Sequence, residues 1–445
     1  MSFLHQQKEG VAIHWVYLKK ELVRDIISTT AWSTVSKGIG FLVPFFIAAW
    51  FGVTSETDAF FFAYSLILLL VTIFSPTFES IIVPFIAEFK AKGEDVEKFI
   101  ARLFGISGIG LGVITLFFFA IIYPILPIVT KFSREELNLV FVILLESSPL
   151  IILIVWTSIM AGTLNAYKLF SIPALSPAFR AIITLTFIFS FKDKIGIHSI
   201  ALGYVMGEIF RLFVLSVLMK RYGIFRFRLS ISLDPKLIDF LKTLSYQIMG
   251  MTVLVFTPVI NKTMASHLGS GNVSLLEYSE RLYMIPVTFL ISGFVAFLSH
   301  WSEGYYITND KTKIKEDVKK ALIPVGILAF TITVLLYLLR DFVVNIVYGY
   351  GKFPKEQLIY VKDILGFYLI GLTPYFLGQV YVRAFWVQKN TSILFFTALF
   401  MIAGTVAFNI LFIRFMGVSG IAMGNSMVSF LSLGVLSLNF YRRLK

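Results

Sequence analysis

Isolated charges inside long apolar stretches are the part of this sequence most able to do chemistry. Lys37, Glu79, Glu146 and Arg180 each interrupt a run of mostly apolar residues, with no opposite charge within one helical turn. A charge in hydrocarbon costs at least about 2.5 kcal/mol, so such residues usually bind a substrate, an ion or a partner on another helix. We predict that Lys37 faces a cavity. Glu79 and Arg180 are further candidates for binding there, and a structural partner on another helix is the alternative for each.

Two other groups of charges lie close together in the sequence. Glu208 and Arg211 are three residues apart, so on a helix they share a face and are predicted to form a structural ion pair. Glu277 and Arg281 are four apart and are predicted to pair in the same way, with Glu280 beside them. This second group also occurs where a carrier would expose a binding site, so both interpretations stay open for it.

Asp58 follows Thr57 at the predicted start of the second apolar stretch. A carboxylate at this position can cap a helix and complement its dipole, which makes helix capping the favoured role for Asp58. A gating role is the alternative.

The elements that position these residues must be transmembrane helices. The chain has 445 residues, of which 57% are hydrophobic and only 15% charged, with a mean hydropathy of +0.84. A soluble fold could not cover so much apolar surface, and the apolar runs are too long and unalternating for a membrane barrel. We therefore predict an all-α membrane protein with twelve transmembrane helices, at residues 26–51, 58–88, 99–126, 137–162, 172–191, 197–219, 237–262, 273–303, 317–339, 358–385, 392–413 and 417–441.

Lysine and arginine are concentrated at the N-terminus and in the loops after the even-numbered spans. The positive-inside rule then places both termini in the cytoplasm. It also accounts for the net charge of +13 better than nucleic-acid binding does, because the aromatic residues lie inside spans. We expect a multi-pass protein of the bacterial cytoplasmic membrane, in contact with membrane lipids and without a nucleic-acid partner.

The two halves of the chain look like a repeat. The pattern G-x-x-x-I-A-x-G opens the sixth span at Gly196 and the twelfth at Gly417. Six spans per half give both halves the same sense in the membrane, which makes this a parallel repeat with a site expected between the halves. The predicted division is a cytoplasmic segment at 1–25, an N-lobe at 26–219, a basic linker at 220–236 and a C-lobe at 237–445. Together the lobes are predicted to form a V around a central cavity.

Signatures of catalysis are absent from the sequence. The chain has no cysteine, and its five histidines form no H-E-x-x-H pattern. It also contains no G-x-x-x-x-G-K-[ST] phosphate-binding loop. The sequence therefore favours a transporter over an enzyme, with no catalytic residue, no bound metal and no cofactor. A coupling ion (Na⁺ or H⁺) or the membrane potential is left as the driving force.

Six short stretches resemble the MurJ/MviN branch of the multidrug/oligosaccharidyl-lipid/polysaccharide exporters, in the order and at the helix positions of that family. The resemblance covers most of the chain. These stretches are Phe51-Gly52 with Thr57–Phe61; Val83-Pro84-Phe85 with Glu88-Phe89; Leu164-Asn165-Ala166 with Pro173–Pro177; Tyr278–Tyr283 with Pro286; Arg383-Ala384-Phe385; and Gly420-Ile421-Ala422.

The chain also departs from that family. Where lipid II flippases of the branch carry an arginine-rich first helix, this chain has Lys37 in place of the first arginine and Val43-Pro44 in place of an Arg-Asp pair. The paired arginines of the second helix fall at Val71 and Thr72. Members of the branch typically have fourteen helices, and twelve are predicted here.

The resemblance implies a flippase that carries a polyprenyl-pyrophosphate-linked saccharide to the outer leaflet by alternating access of two lobes. Lys37 and Arg281 would hold the pyrophosphate, with Glu79, Glu277, Glu280, Arg180 and Lys262 also lining the cavity. The missing arginines favour a lipid-linked saccharide related to lipid II. Lipid II itself is the alternative, and a cation-coupled drug exporter of the MATE type, using Glu79 or Glu146, is another. A monomer is expected.

Overall fold

The computed structural model describes residues 29–251, 253–308, 311–388 and 391–443. Within these ranges the chain forms α-helices and two short 3₁₀ turns, at Val253–Phe256 and Lys355–Gln357. The first helix, α1, is Thr29–Phe51. The others are α2 Ser55–Lys92, α3 Val96–Val129, α4 Arg134–Ser147, α5 Pro149–Ala166, α6 Ser171–Ile195, α7 His198–Arg221, α8 Pro235–Met251, α9 Thr257–Ser266, α10 Asn272–Thr308, α11 Lys311–Tyr348, α12 Leu358–Ile370, α13 Leu372–Val387, α14 Thr391–Met416 and α15 Ser419–Arg443.

Ten helical stretches in the described ranges are long and apolar enough to cross a membrane. They coincide with ten of the twelve predicted spans, which confirms an all-helical membrane protein. Of the other two predicted spans, 237–262 includes residue 252, which is outside the described set, and 273–303 lies within one long helix. Helices α8, α9 and α10 lie in these two regions.

Three predicted spans are interrupted in the structure. Pro149 separates α4 from α5, because proline has no N–H with which to continue the helix. Gly371 separates α12 from α13, where a Cβ atom would lie 2.7 Å from the Cα of Ser426 on α15. The predicted span 237–262 is divided into α8, a 3₁₀ turn and α9. Each of these spans was predicted as one helix.

Polar caps set the helix ends near the turns. Thr54 caps α2 in a reciprocal arrangement with Thr57, whose amide N–H donates to Thr54 Oγ1 at 3.2 Å. Ser133 and Glu136 form the same capping box at the start of α4. Gly93 ends α2 with φ at 68°, a left-handed conformation that glycine adopts without strain. These caps fix the turns before and after α2 and the turn before α4.

The predicted repeat has a structural counterpart at Gly196 and Gly417. Both glycines follow a helix with positive φ, 55° and 57°. The amide of Gly196 donates to the Lys192 carbonyl at 3.0 Å, and that of Gly417 donates to the Ile413 carbonyl at 3.0 Å. The chain then starts α7 and α15 in the same way, two residues after each glycine.

Hydrogen bonds between the lobes close one end of the bundle. The amide of Lys352, before α12, donates to the Ala49 carbonyl of α1 at 2.7 Å. Tyr278 Oη of α10 donates to the Gly52 carbonyl at 2.8 Å. We call this the closed end. The charge distribution of the sequence predicts that it faces away from the cytoplasm.

The linker between α7 and α8 is attached to the N-lobe at the opposite end. The amide of Ser230 donates to the Ala101 carbonyl of α3 at 2.9 Å. Arg102 pairs with Asp234, and Lys236 pairs with Glu88. The hydrogen bond to the Glu88 carboxylate raises the pKa of Lys236.

Gly105 makes this attachment sterically demanding. A Cβ atom at Gly105 would lie 2.1 Å from the Ser230 carbonyl oxygen, whereas one at Gly112 would meet no atom within 4 Å. We expect Gly105→Ala to lower the thermal stability in detergent, because overpacking costs about 1–3 kcal/mol. Gly112→Ala is the matched control and should be neutral or stabilising, since alanine is the better helix former. Equal midpoints for the two variants would contradict the close contact.

Candidate substrate-binding site

A cavity of about 370 Å³ opens within the N-lobe. Helices α1, α2, α5, α6 and α7 contribute to its wall. Its charged lining residues are Lys37, Glu79, Arg180 and Arg211, and its other lining residues are Thr29, Ser33, Ser36, Gly40, Ala161, Asn165, Phe170, Pro173, Ala174 and Pro177. The structure therefore brings together Lys37, Glu79 and Arg180, three of the predicted site residues.

A buried ion network holds the two arginines at the wall. Glu208 is fully buried, and it pairs with Arg211 on its own helix at 3.1 Å and with Arg180 on α6 at 3.4 Å. Thr157 donates to the same carboxylate at 2.5 Å, and Arg211 Nε donates to Ser176 Oγ at 3.0 Å. The predicted Glu208–Arg211 pair is thus present. Each group of this network has partners that compensate for its loss of water.

Among the residues that the structure describes, the cavity and its network hold more cations than carboxylates. Lys37, Arg180 and Arg211 face two carboxylates, Glu79 and Glu208. Glu79 accepts a long hydrogen bond of 3.5 Å from Asn165. Guanidinium groups bind phosphate oxygens in bidentate geometry, and an ammonium group adds a point charge. The arrangement is suited to an anionic head group with oxygen acceptors.

Arg211 was missed as a cavity residue, because its pairing with Glu208 suggested a purely structural role. The sequence did contain a signal. Gly203 and Gly207 form a G-x-x-x-G motif next to Glu208, which is typical of close helix packing in membranes. A Cβ atom at Gly207 would lie 2.6 Å from the Arg180 carbonyl oxygen, so this glycine brings α7 against α6 where the two arginines meet.

The second predicted group forms a separate ion cluster. Lys262 Nζ on α9 lies 2.6 Å from Glu277 on α10, and Arg281 Nη2 lies 2.5 Å from the same carboxylate. Lys262 and Glu277 are almost fully buried, and Arg281 is about one third exposed. Glu280 lies half-buried on the same helix. These four residues were predicted to line a central cavity with Lys37, and this stays a prediction; the N-lobe cavity is lined by other residues.

This cluster also reaches across the lobes. Lys262 Nζ donates to the Phe61 carbonyl of α2 at 3.4 Å. Glu277 therefore neutralises cations on two helices at once. Spacing along one helix predicted Arg281 as a partner of Glu277 but could not predict Lys262, which lies on another helix.

Asp58 does cap a helix, but not its own. Thr54 occupies the cap of α2, and Asp58 is almost fully buried inside that helix. Its carboxylate accepts the amide of Gly271 at 2.5 Å and the amide of Ser274 at 2.7 Å, at the start of α10 in the other lobe. A carboxylate at a helix N-terminus is stabilised by the free N–H groups there. We call Asp58 with Gly271 and Ser274 the clasp.

Glu146, predicted as a lone acid, has a partner in the structure. His198 Nδ1 at the start of α7 lies 2.9 Å from its carboxylate. Both side chains are half-buried. The two residues are 52 positions apart in the chain, so spacing along one helix could not predict that they pair.

The described residues also bear on metal binding. Within them, no group of three or more His, Asp or Glu side chains could hold a metal ion. The coupling ion considered from the sequence therefore stays a prediction.

Comparison with known proteins gives consistent results. The family model for lipid II flippase MurJ matches residues 47–445. A curated relative described as a probable lipid II flippase MurJ, from Buchnera aphidicola subsp. Baizongia pistaciae (strain Bp), is 27% identical over 435 residues, covering 95% of this chain and 83% of its own.

Solved structures show the same architecture. A lipid II flippase MurJ in an inward closed conformation has a TM-score of 0.78 at 24% identity, covering 93% of this chain and 87% of its own. An inward-facing multidrug resistance MATE family transporter of the MOP superfamily has a TM-score of 0.73 at 15% identity, covering 93% and 94% of the two chains. At these identities the likeness is one of fold.

Proposed function

The chain belongs to the lipid II flippase MurJ family, and on that premise we propose that it carries lipid II from the inner to the outer leaflet of the bacterial cytoplasmic membrane. Lipid II is a member of the polyprenyl-pyrophosphate-linked saccharides expected from the sequence. The observation that carries the proposal is the cationic cavity of the N-lobe, which Lys37, Arg180 and Arg211 line together. The pyrophosphate binds among these cations, and the polyprenyl tail stays in lipid.

The cavity also contains arginines that can replace those missing from the first two helices. Val43 and Val71 are buried in packing contacts and offer no charge. Arg180 and Arg211 come from α6 and α7 instead and supply two guanidinium groups to the same space as Lys37. The family carries this positive charge on its first two helices, whereas here α6 and α7 provide it. This supports lipid II over a different saccharide.

The clasp supports transport by alternating access. It closes one end of the bundle while the N-lobe cavity lies beside the first half of α1. Rocking of the two lobes would break the clasp, open that end and expose the cavity to the other side. We propose that the closed end faces away from the cytoplasm.

The excess of cations in the cavity argues against a drug exporter of the MATE type. Such an exporter would bind organic cations, which three cationic side chains in one small cavity would repel. The structural likeness to a MATE transporter concerns the fold alone.

The proposal is tested by depletion of the host flippase in a bacterium that expresses this chain. We expect growth to be rescued and lipid II to become accessible on the outer leaflet to an impermeant probe. Purified protein in liposomes with fluorescent lipid II should accelerate exposure of the head group. Protein that is present and monodisperse but moves no lipid II in either assay would overturn the proposal, and movement of another polyprenyl-pyrophosphate saccharide would identify the substrate.

The membrane orientation is a separate prediction. The chain has no native cysteine, so single introduced cysteines report position cleanly. We expect Ser133→Cys and Lys352→Cys to react with an impermeant thiol reagent outside intact cells, whereas Arg221→Cys should react only after permeabilisation. The reverse pattern would place the closed end in the cytoplasm.

A further inference from the structure

The linker between the lobes is an extended segment that lies on the surface of α3. Its residue Ser230 is hydrogen-bonded to the Ala101 carbonyl, and Ser232 accepts a hydrogen bond of 2.7 Å from Arg102 Nε. Gly105 allows the two backbones to touch. The serine side of the segment is therefore engaged with α3 and its flanking residues.

The other side of the segment is apolar and uncovered. Leu229, Ile231 and Leu233 are exposed by 55%, 68% and 62%. In an extended chain, residues two apart point to the same side, so these three side chains form one apolar row. A row of this kind on a surface in water would be unfavourable, and its regular alternation with serine indicates that it meets an apolar phase.

The position of the row relative to the lipid-facing surface identifies that phase. Ala101 lies eight residues before Ile109, which is about 12 Å along a helix. From Ile109 onward, α3 exposes Val113, Leu116 and Phe117, a surface typical of contact with acyl chains. The row therefore lies just outside the hydrocarbon core, at the depth where amphipathic segments insert.

A basic cavity adjoins the start of this segment. It has a volume of about 450 Å³ and is lined by Lys220, Arg226 and Arg228, with Phe225, Phe227 and Glu97 beside them. Arg228 lies 3.7 Å from Glu97, which leaves an excess of positive charge among the three cations and one carboxylate. Arginine and lysine at a membrane surface attract anionic lipid head groups.

From these observations we infer that the linker is an anionic-phospholipid site. The phosphate of a lipid such as phosphatidylglycerol binds among Lys220, Arg226 and Arg228, and Leu229, Ile231 and Leu233 insert beside its acyl chains. The inference is independent of the transported substrate. The linker is then a membrane-bound segment, and the occupancy of its lipid site depends on the anionic lipid content of its leaflet.

The charge part of the inference is tested on the full chain in detergent by titration with phosphatidylglycerol or phosphatidylcholine, with thermal stabilisation as the readout. We expect stabilisation by phosphatidylglycerol only, with an apparent affinity weakened about tenfold or more in Arg226→Gln/Arg228→Gln. Arg221→Gln/Arg442→Gln removes the same charge from exposed positions outside the cavity and should behave as the wild type. Equal affinities in the two double variants, or equal stabilisation by inorganic phosphate alone, would overturn the inference.

The insertion part is tested in vesicles with a nitroxide on a single cysteine. The label on Ile231→Cys should be more accessible to oxygen than to a water-soluble nickel chelate. Glu94→Cys, in the exposed turn before α3, is the matched control at the same end and should show the opposite preference. If both labels prefer the nickel chelate equally, the row lies in water and the inference fails.

Discussion

Reversal of charge at Lys37 is expected to abolish lipid II transport. Lys37→Glu would place a second carboxylate beside Glu79 in the cavity and repel the pyrophosphate. A hydrogen bond to a charged group contributes about 1.5–3 kcal/mol, so Lys37→Gln alone should slow transport roughly 10- to 100-fold. Lys37→Glu should be worse, and Lys37→Arg should retain most of the activity. Transport is measured as lipid II exposed on the outer leaflet per unit of membrane-inserted protein.

A control separates loss of binding from loss of structure. Lys319→Glu makes the same charge change at an exposed position on α11 and should transport normally. All variants should keep the elution volume and thermal midpoint of the wild type. Normal transport by Lys37→Glu would exclude the N-lobe cavity as the pyrophosphate site.

The second large effect is expected at the clasp. Asp58→Ala removes a buried carboxylate and leaves the amides of Gly271 and Ser274 without their acceptor. An unsatisfied buried donor costs about 1–3 kcal/mol, so the closed conformation should lose roughly tenfold or more in population relative to the open one. Transport should fall with it, because the cycle needs both conformations.

The shift can be measured by cross-linking across the closed end. Cysteines at Ala49 and Lys352 lie where the two backbones are joined by a hydrogen bond of 2.7 Å. We expect Asp58→Ala to slow formation of a short cross-link about tenfold. Glu56→Ala removes a carboxylate from the same first turn of α2, but from an exposed position, and should have no effect. An unchanged rate in Asp58→Ala would show that the clasp contributes little to closure.

These residues also show how far the sequence can predict such a site. Hydropathy placed the spans, and the cost of buried charge identified Lys37, Glu79 and Arg180, all three of which line one cavity. Pairs on a single helix, Glu208–Arg211 and Glu277–Arg281, followed from spacing and are present. Local patterns were sufficient for these features because the interactions are local.

Partners distant in the sequence could not be found in that way. Asp58 caps a helix that begins more than two hundred residues later, and Lys262 shares Glu277 with Arg281 from another helix. Breaks such as the one at Gly371 depend on how closely a neighbouring helix approaches. In each case the determining contact is tertiary, and a single sequence does not specify which helices meet.

The Arg180–Glu208 contact has a consequence for biosynthesis. Arg180 lies on α6, whereas its carboxylate partner lies on α7, across the corner at Gly196. A nascent α6 that entered the bilayer alone would carry an uncompensated guanidinium, while α7 brings both Glu208 and Arg211 with it. The two helices are therefore expected to leave the translocon together, as a hairpin in which Arg180 already has its carboxylate partner. A ribosome stalled before α7 has emerged should accordingly hold α6 at the translocon, and release into lipid should follow once Glu208 arrives.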